Sequence, residues 1–270
     1  MIDYISNLNP VIQALLATLF TYGVTALGAG LVFFFKKVNK TVMDAMLGFA
    51  AGVMIAASFW SLLSPAIEMA ISLEMIAWLV AFIGFFSGGV LLYVSDKLFN
   101  YFDKKLSSKN TDDNANSFKR CLMLIFSITM HNIPEGLAVG VAFGSIVYGL
   151  DGATFSSACL LALGIGLQNF PEGTAVSVPL RREGMSRRKA FLFGQLSGIV
   201  EPIAGVIGAL LVIKVRYLLP FLLSFAAGAM IYVVVQELIP ESQTNENKSL
   251  MALFTLIGFS IMMILDVALG

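Results

Sequence analysis

Eight apolar segments occupy most of this 270-residue chain, roughly 10–35, 43–68, 74–101, 119–147, 153–180, 188–213, 217–240 and 249–268. Each is near or above the about 20 residues that a helix needs to cross a bilayer. In hydrocarbon every backbone polar group needs an internal partner, so the segments are read as helices. The short alternating strands of a membrane β-barrel do not appear. Only 13% of the residues are charged, against about 25% in soluble domains. The sequence therefore predicts an all-α membrane protein with eight transmembrane helices, in a single domain over residues 1–270. One polar loop, at about 102–118, is expected to be flexible and to divide three helices from five.

The basic residues predict an orientation. With the N-terminus outside, fifteen of the 17 lysines and arginines fall on the inner side, all but Lys214 and Arg216. Basic residues accumulate on cytoplasmic loops, so both termini are expected outside and the 102–118 loop inside. Net charge is zero, which leaves no electrostatic footprint for nucleic acid. Cys121 and Cys159 lie in or near apolar segments without CxxC spacing. They read as small helix residues, not as a thiolate metal site or a disulfide frame. No secretory signal is expected, because the first residues include Asp3 and no basic residue.

Against this background one motif occurs twice. His131-Asn132-Ile133-Pro134-Glu135-Gly136 and Gln168-Asn169-Phe170-Pro171-Glu172-Gly173 open two stretches, HNIPEGLAVGVAF and QNFPEGTAVSVPL, with seven identities in thirteen positions. An ionisable side chain at the centre of a membrane helix costs about 2.5–3.5 kcal/mol on insertion scales. Residues i and i+4 share a helix face about 6 Å apart along the axis, so His131 pairs with Glu135 and Gln168 with Glu172. Counting from the turn near residues 149–150 places His131 and Gln168 level, with the glutamates a turn to either side. Pro134 and Pro171 are expected to kink the two helices and draw the ligands together. Glu201, followed by Pro202, falls at the same depth on the sixth helix. Three carboxylates so close repel strongly unless a cation neutralises them. This nitrogen-and-oxygen set suits Zn²⁺, Fe²⁺, Mn²⁺ or Cd²⁺ better than a thiolate-seeking ion. Asn132 and Asn169 lie off the first stripe, and two readings stand for them: ligands of a second subsite, or helix–helix hydrogen bonds.

Other polar groups mark a path. Glu68, Ser61, Ser64 and Met54 lie on the second helix, running from the outside toward mid-depth. Gln236 and Glu237 lie toward the inner end of the seventh. Asp44, Asp96 and Asp103 are expected as solvated charges near the inner face, and Asp266 has no assigned role.

These motifs resemble the ZIP (Zrt-, Irt-like protein) family of divalent metal transporters. The likeness includes HNIPEG and xNxPEG, SGIVEPIAG on the sixth helix, QELIPES on the seventh and GVMIAASFWSLLSPAIE on the second. It covers essentially the whole chain, and Gln168 with the compact length resembles the GufA-like prokaryotic branch. The resemblance implies eight helices with an inverted repeat of helices 1–3 and 6–8 around helices 4 and 5. It implies a metal site of His131, Glu135, Gln168, Glu172 and Glu201, with Asn132 and Asn169 at the family's other ligand positions. It also implies elevator-like movement of helices 1, 4, 5 and 6, and homodimer formation. Many relatives carry His at the place of Gln168, some an acidic residue at the place of Asn169, and many a histidine-rich loop where 102–118 has none.

The expected function is secondary transport of a divalent transition metal, zinc foremost, into the cytoplasm across a prokaryotic plasma membrane. The metal is substrate, no prosthetic group is expected, and the lipid bilayer is the constant partner. No ATP-binding motif is present. A channel, or a proton- or sodium-coupled carrier using the same carboxylates, is the rival reading. An intramembrane metallohydrolase is disfavoured, because a HExxH site needs two histidines and the chain has one.

Overall fold

Asn9 and Pro10 start the first membrane helix in the way the chemistry of a helix N-terminus favours. The Asn9 side chain accepts a hydrogen bond from the Val11 amide at 2.9 Å, and Pro10 occupies the first helical position, where its missing N–H loses nothing. The computed structural model describes residues 5–34, 39–107, 129–130, 132–149, 153–182 and 184–269. Among these, every regular element is helical. We number the long helices α1 (Pro10–Phe34), α2 (Lys40–Ser72), α3 (Ala77–Ser107), α4 (132–145), α5 (Phe155–Arg182), α6 (Arg187–Lys214), α7 (Leu219–Ser242) and α8 (Lys248–Leu269). Six of them, α1, α2, α3, α6, α7 and α8, are long and apolar enough to cross a membrane by length and composition. The described part of α4 is short, and α5 is interrupted by Gln168, Asn169 and Glu172.

Prolines shape three of these helices. In α2 a π-helical turn, Ser58–Leu63, precedes Pro65. In α7 a π-helical turn, Val234–Leu238, precedes Pro240. Proline has no N–H and its ring crowds the carbonyl four residues back, here Ser61 and Gln236, and the widened turn relieves that conflict. In α6 the expected continuous helix is instead broken at residues 197–199 into Arg187–Leu196 and Val200–Lys214. Pro202 removes a donor there, and the chain turns through i→i+3 bonds such as Ile199 N to Leu196 O at 3.2 Å. Residues 102–107, expected in the polar loop, extend α3 to Ser107. Residues 108–118 of that loop, and Cys121, lie outside the described residues.

The helices associate through small residues, as expected where lipid removes any hydrophobic preference for helix over tail. Four crossings carry the fold, and they fall into two matched pairs. In the first pair, α2 crosses α8 and α7 crosses α3. A side chain added to Gly52 would collide with the Thr255 carbonyl, and one added to Gly228 with the Phe85 carbonyl. Likewise Gly258 abuts the Phe49 carbonyl, and Gly88 the Phe225 carbonyl. The residues correspond one to one: Phe49-Ala50-Ala51-Gly52-Val53-Met54-Ile55 in α2 recurs as Phe225-Ala226-Ala227-Gly228-Ala229-Met230-Ile231 in α7. In the second pair, α1 crosses α5 and α6 crosses α4. Gly173 abuts the Thr25 carbonyl, and Gly136 the Glu201 carbonyl. The bundle thus divides into one group of α1, α4, α5 and α6 and another of α2, α3, α7 and α8. Between α1 and α5 on one side and α2 and α8 on the other lies an apolar cavity of about 610 Å³, lined by Phe20, Val24, Met46, Phe49, Leu167 and Phe170 among others.

Asp44, expected as a solvated charge, is buried at 2% exposure. Its carboxylate meets Lys40 Nζ at 2.7 Å and accepts from Asn245 Nδ2 at 2.8 Å. Ser242 Oγ donates to the Asp44 carbonyl at 2.7 Å. The group ties the start of α2 to the α7–α8 connection, which is why the charge is covered. Asp96 is also engaged, accepting a hydrogen bond from Tyr232 Oη at 2.9 Å. Cys159 is a free, half-buried thiol. The Asp103 side chain lies outside the described residues.

A Gly52→Ala substitution places its Cβ against the Thr255 carbonyl and 2.6 Å from the Phe259 nitrogen, both backbone atoms of α8. Overpacking of this kind costs about 1–3 kcal/mol or more, so a clear drop in the thermal midpoint in detergent is expected. Gly23→Ala, with nothing within 4 Å of the new atom, is the control and is expected to melt like the wild type.

Candidate metal-binding centre

The repeated motifs of α4 and α5 face α6 and α1 at the centre of the first helix group. Glu135, Glu172 and Glu201 are 1%, 6% and 0% exposed, so Glu172 is the most accessible of the three. All three lie within range of one another's charge, and Glu172 also feels Glu237 of α7. Asn132, Gln168 and Asn169 are buried among them. His131 lies outside the described residues.

Glu201 is placed by the break in α6. It sits in the first turn of Val200–Lys214, where the positive end of the helix dipole favours a carboxylate. Asn169 Nδ2 donates to both of its oxygens, at 2.9 and 3.0 Å. Thr21 Oγ1 donates to Oε2, and Thr25 Oγ1 reaches Oε1 at 3.5 Å. Gln168 Nε2 donates to Glu135 Oε1 at 2.7 Å. The two asparagines also fasten backbone, in matched fashion. Asn132 Nδ2 donates to the Ser197 carbonyl at 2.9 Å, and Asn169 Nδ2 to the Thr21 carbonyl at 3.3 Å. Of the two readings left open for the asparagines, the helix–helix hydrogen bond is present for both.

Four oxygens of this cluster are buried with no donor from the described protein: Glu135 Oε2, Gln168 Oε1, Asn132 Oδ1 and Asn169 Oδ1. A buried acceptor left unpaired costs about 1–3 kcal/mol. Oxygens brought together without hydrogen-bond donors are the setting that a hard or borderline cation satisfies. Among the described residues no three His, Cys, Asp or Glu side chains are gathered into a cage by themselves. Amides stand between the carboxylates, with Gln168 on Glu135 and Asn169 on Glu201.

The path residues are distributed along α2 and α7. Glu68 is exposed and accepts from Ser64 Oγ at 3.2 Å. Ser61 Oγ donates to Asp266 Oδ1 at 2.7 Å, while Asp266 Oδ2 has no donor. Asp266 therefore has a partner that the sequence reading did not assign. Met54 is wholly buried in the apolar core. Gln236 is exposed and Glu237 half-buried on the π-helical turn of α7.

The sequence reading missed α1. Thr18, Thr21 and Thr25 are all buried, at 0–1% exposure, and two of them address Glu201. The signal was present as hydroxyls at i, i+3 and i+7 on an otherwise apolar helix, which places them on one face.

With the geometry in hand, comparison with known proteins is direct. Residues 103–266 match the family described as ZIP Zinc transporter. Zinc transporter ZIP11 of Bos taurus is 42% identical, over 97% of this chain and 98% of the relative. Zinc transporter ZIPB of Bordetella bronchiseptica is 33% identical, over 92% and 79%. Zinc transporter GufA of Myxococcus xanthus is 32% identical, over 95% and 98%. The NxPEG motifs, the helix groups and near full-length similarity converge on one conclusion: this integral membrane protein belongs to the ZIP zinc transporter family.

Proposed function

We propose that the protein carries divalent transition-metal ions, zinc foremost and Cd²⁺, Fe²⁺ or Mn²⁺ by the same donor chemistry, into the cytoplasm. The observation that carries this reading is the buried cluster of Glu135, Gln168, Glu172 and Glu201 with Asn132 and Asn169, in which four oxygens have no donor from the described residues. Water or a cation satisfies such oxygens, and the neighbouring carboxylates select the cation. Glu135, Gln168, Glu172, Glu201, Asn132 and Asn169 are the proposed ligands of the described residues, and His131 is the further ligand that the sequence motif supplies. Cations arrive along Glu68, Ser61 and Met54 and leave past Glu237, whose charge already reaches Glu172. The relatives' names as zinc transporters favour zinc as the principal substrate.

The proposed architecture is eight spans with both termini outside, supported by the distribution of basic residues. The inverted repeat of α1–α3 and α6–α8 is supported by the matched crossings and by the recurring Phe-Ala-Ala-Gly motif. Transport proceeds by movement of α1, α4, α5 and α6 against the remaining helices. The apolar cavity between the two groups supports this, since no polar contact has to break there for one to slide on the other. A prokaryotic plasma membrane is the proposed location, in keeping with the compact length and the bacterial relatives.

Zinc uptake into proteoliposomes tests the site. Glu135→Gln and Glu172→Gln are each expected to reduce the initial rate at least tenfold while melting normally, and wild-type rates in both would overturn the assignment. A second experiment tests the movement. In a background without Cys121 and Cys159, Met46→Cys and Leu167→Cys line the cavity from opposite groups. Cross-linking them is expected to abolish uptake and to leave zinc binding intact. Uptake that persists after complete cross-linking would favour a channel-like path.

A further inference from the structure

We propose that the apolar cleft between the two helix groups seats one acyl chain of a phospholipid, which enters from the inner leaflet. The seat follows from the shape of the cleft and from the bilayer around it, and the choice of leaflet rests on the proposed orientation.

The cleft is a trough between two matched stripes. Val42, Ala45, Met46 and Phe49 of α2 follow one another at i, i+3, i+4 and i+7, and so do Leu163, Gly166, Leu167 and Phe170 of α5. That spacing puts each set on one face of its helix. At 1.5 Å per residue each stripe is about 10 Å long. Every described residue of the lining is apolar. Phe20, Val42 and Leu163 are exposed, whereas Ala45, Gly166 and Pro171 are buried, so the trough has an open rim and a covered floor.

Chemistry and shape decide what fills it. Water finds no partner on an apolar lining and stays out. Left empty, the walls forfeit their dispersion contacts. A helix of a second copy, about 10–12 Å across with its side chains, is too thick for a trough of this length and of about 610 Å³. A single alkyl chain is thin and flexible, and in a bilayer it is the solvent. The position suits one leaflet. In the proposed orientation α2 leaves the cytoplasmic face and α5 approaches it. The trough then runs from Val42, near the start of α2, to Leu163, five residues outward of Gln168. That is from headgroup level to the middle of a core about 30 Å thick, the half that one leaflet's chains occupy. Lys40, paired with Asp44 yet 56% exposed, stands at the headgroup end, where a basic group suits a phosphate. Farther in, the chain passes Phe170 and Pro171, behind Gln168, Asn169 and Glu172. Its walls come from α1 and α5 on one side and α2 and α8 on the other, so the lipid spaces the two groups.

Photolabelling of the purified full-length protein tests the seat, in vesicles of phosphatidylethanolamine and phosphatidylglycerol. Two phosphatidylcholine probes carry a diazirine near the carboxyl end or near the methyl end of one acyl chain, and adducts are mapped by mass spectrometry. The first probe is expected to label half-buried Met46 and the second half-buried Leu167, while both label Phe82 and Phe86 on the exposed face of α3. Ala45→Trp fills the trough and is expected to lower the Met46 and Leu167 adducts at least fivefold, with those on α3 unchanged. Labelling confined to α3, or cleft adducts undiminished in Ala45→Trp, would overturn the seat, and the reverse order of the two probes would overturn entry from the inner leaflet. Where Ala45→Trp fails to fold, the Met46→Cys/Leu167→Cys pair decides. Its cross-linking in delipidated detergent is expected to slow at least threefold when phospholipid is added back, and an unchanged rate would overturn the proposal.

Discussion

A carboxylate with no exposed surface, placed between membrane helices, is tolerated only when its oxygens are bonded and its charge offset. Glu201 meets that requirement, and much of the first helix group is arranged around how it does so. The α6 break at residues 197–199 turns the following helix so that its N-terminus points its free amides toward the carboxylate's end of the helix. The break itself leaves the Ser197 carbonyl without a helical partner, and Asn132 of α4 supplies one. Asn169 of α5 and Thr21 of α1 then close the carboxylate from the other side. One buried charge thus fixes four helices relative to one another. Gly136, packed on the Glu201 backbone, is what permits the approach.

The second helix group is built on different terms. Its two crossings, α2 on α8 and α7 on α3, use glycine against carbonyl as the first group's do, without a polar cluster at their centre among the described residues. Its buried polar links lie nearer the helix ends, as with Asp44 and Asn245 or Ser61 and Asp266. The hydrogen-bonded centre lies within one helix group, and an apolar cavity lies between α1 and α5 of that group and α2 and α8 of the other. The polar chemistry stays inside one unit, and no hydrogen bond of the central cluster described here crosses to the other.

Much of this was legible in the sequence, for physical reasons. Long apolar runs report helices because lipid enforces them, and a duplicated Asn-x-Pro-Glu-Gly inside such runs reports a site because charge there is costly. Glu135, Gln168 and Glu172 were found that way and Glu201 by its depth on the sixth helix, and all four are buried. What escaped was whatever a straight helix does not reveal. Pro202 was noted, but the break it makes in α6 depends on Gly198 and on a partner for Ser197 from another helix. Thr21 and Thr25 were not singled out, because their acceptor lies 176 residues or more away in sequence. Asp44 read as a surface charge because its cover comes from Asn245, beyond the seventh helix. The Phe-Ala-Ala-Gly repeat takes its meaning from the structure, where Gly52 and Gly228 each lie on a carbonyl of a crossing helix.

The distribution of donors also bears on how an ion would be moved. Glu201 is compensated by fixed dipoles that travel with it, namely the Asn169 amide, the Thr21 hydroxyl and the helix N-terminus. Glu135 has one such bond, from Gln168, and Glu172 lies within range of both other carboxylates. Neutral donors and a helix dipole lower the cost of the Glu201 charge without cancelling it, so three ionised carboxylates with one divalent cation still carry one negative charge in excess. A neutral assembly crosses a low-dielectric interior at far lower cost than a charged one, because the desolvation penalty of even a single ion is several kcal/mol. A second divalent ion would turn that excess into one positive charge, so a neutral assembly needs one carboxylate protonated with one ion bound. Asn169, neutral and bonded to both oxygens of Glu201, adds no charge to that sum and lowers the cost of keeping Glu201 ionised.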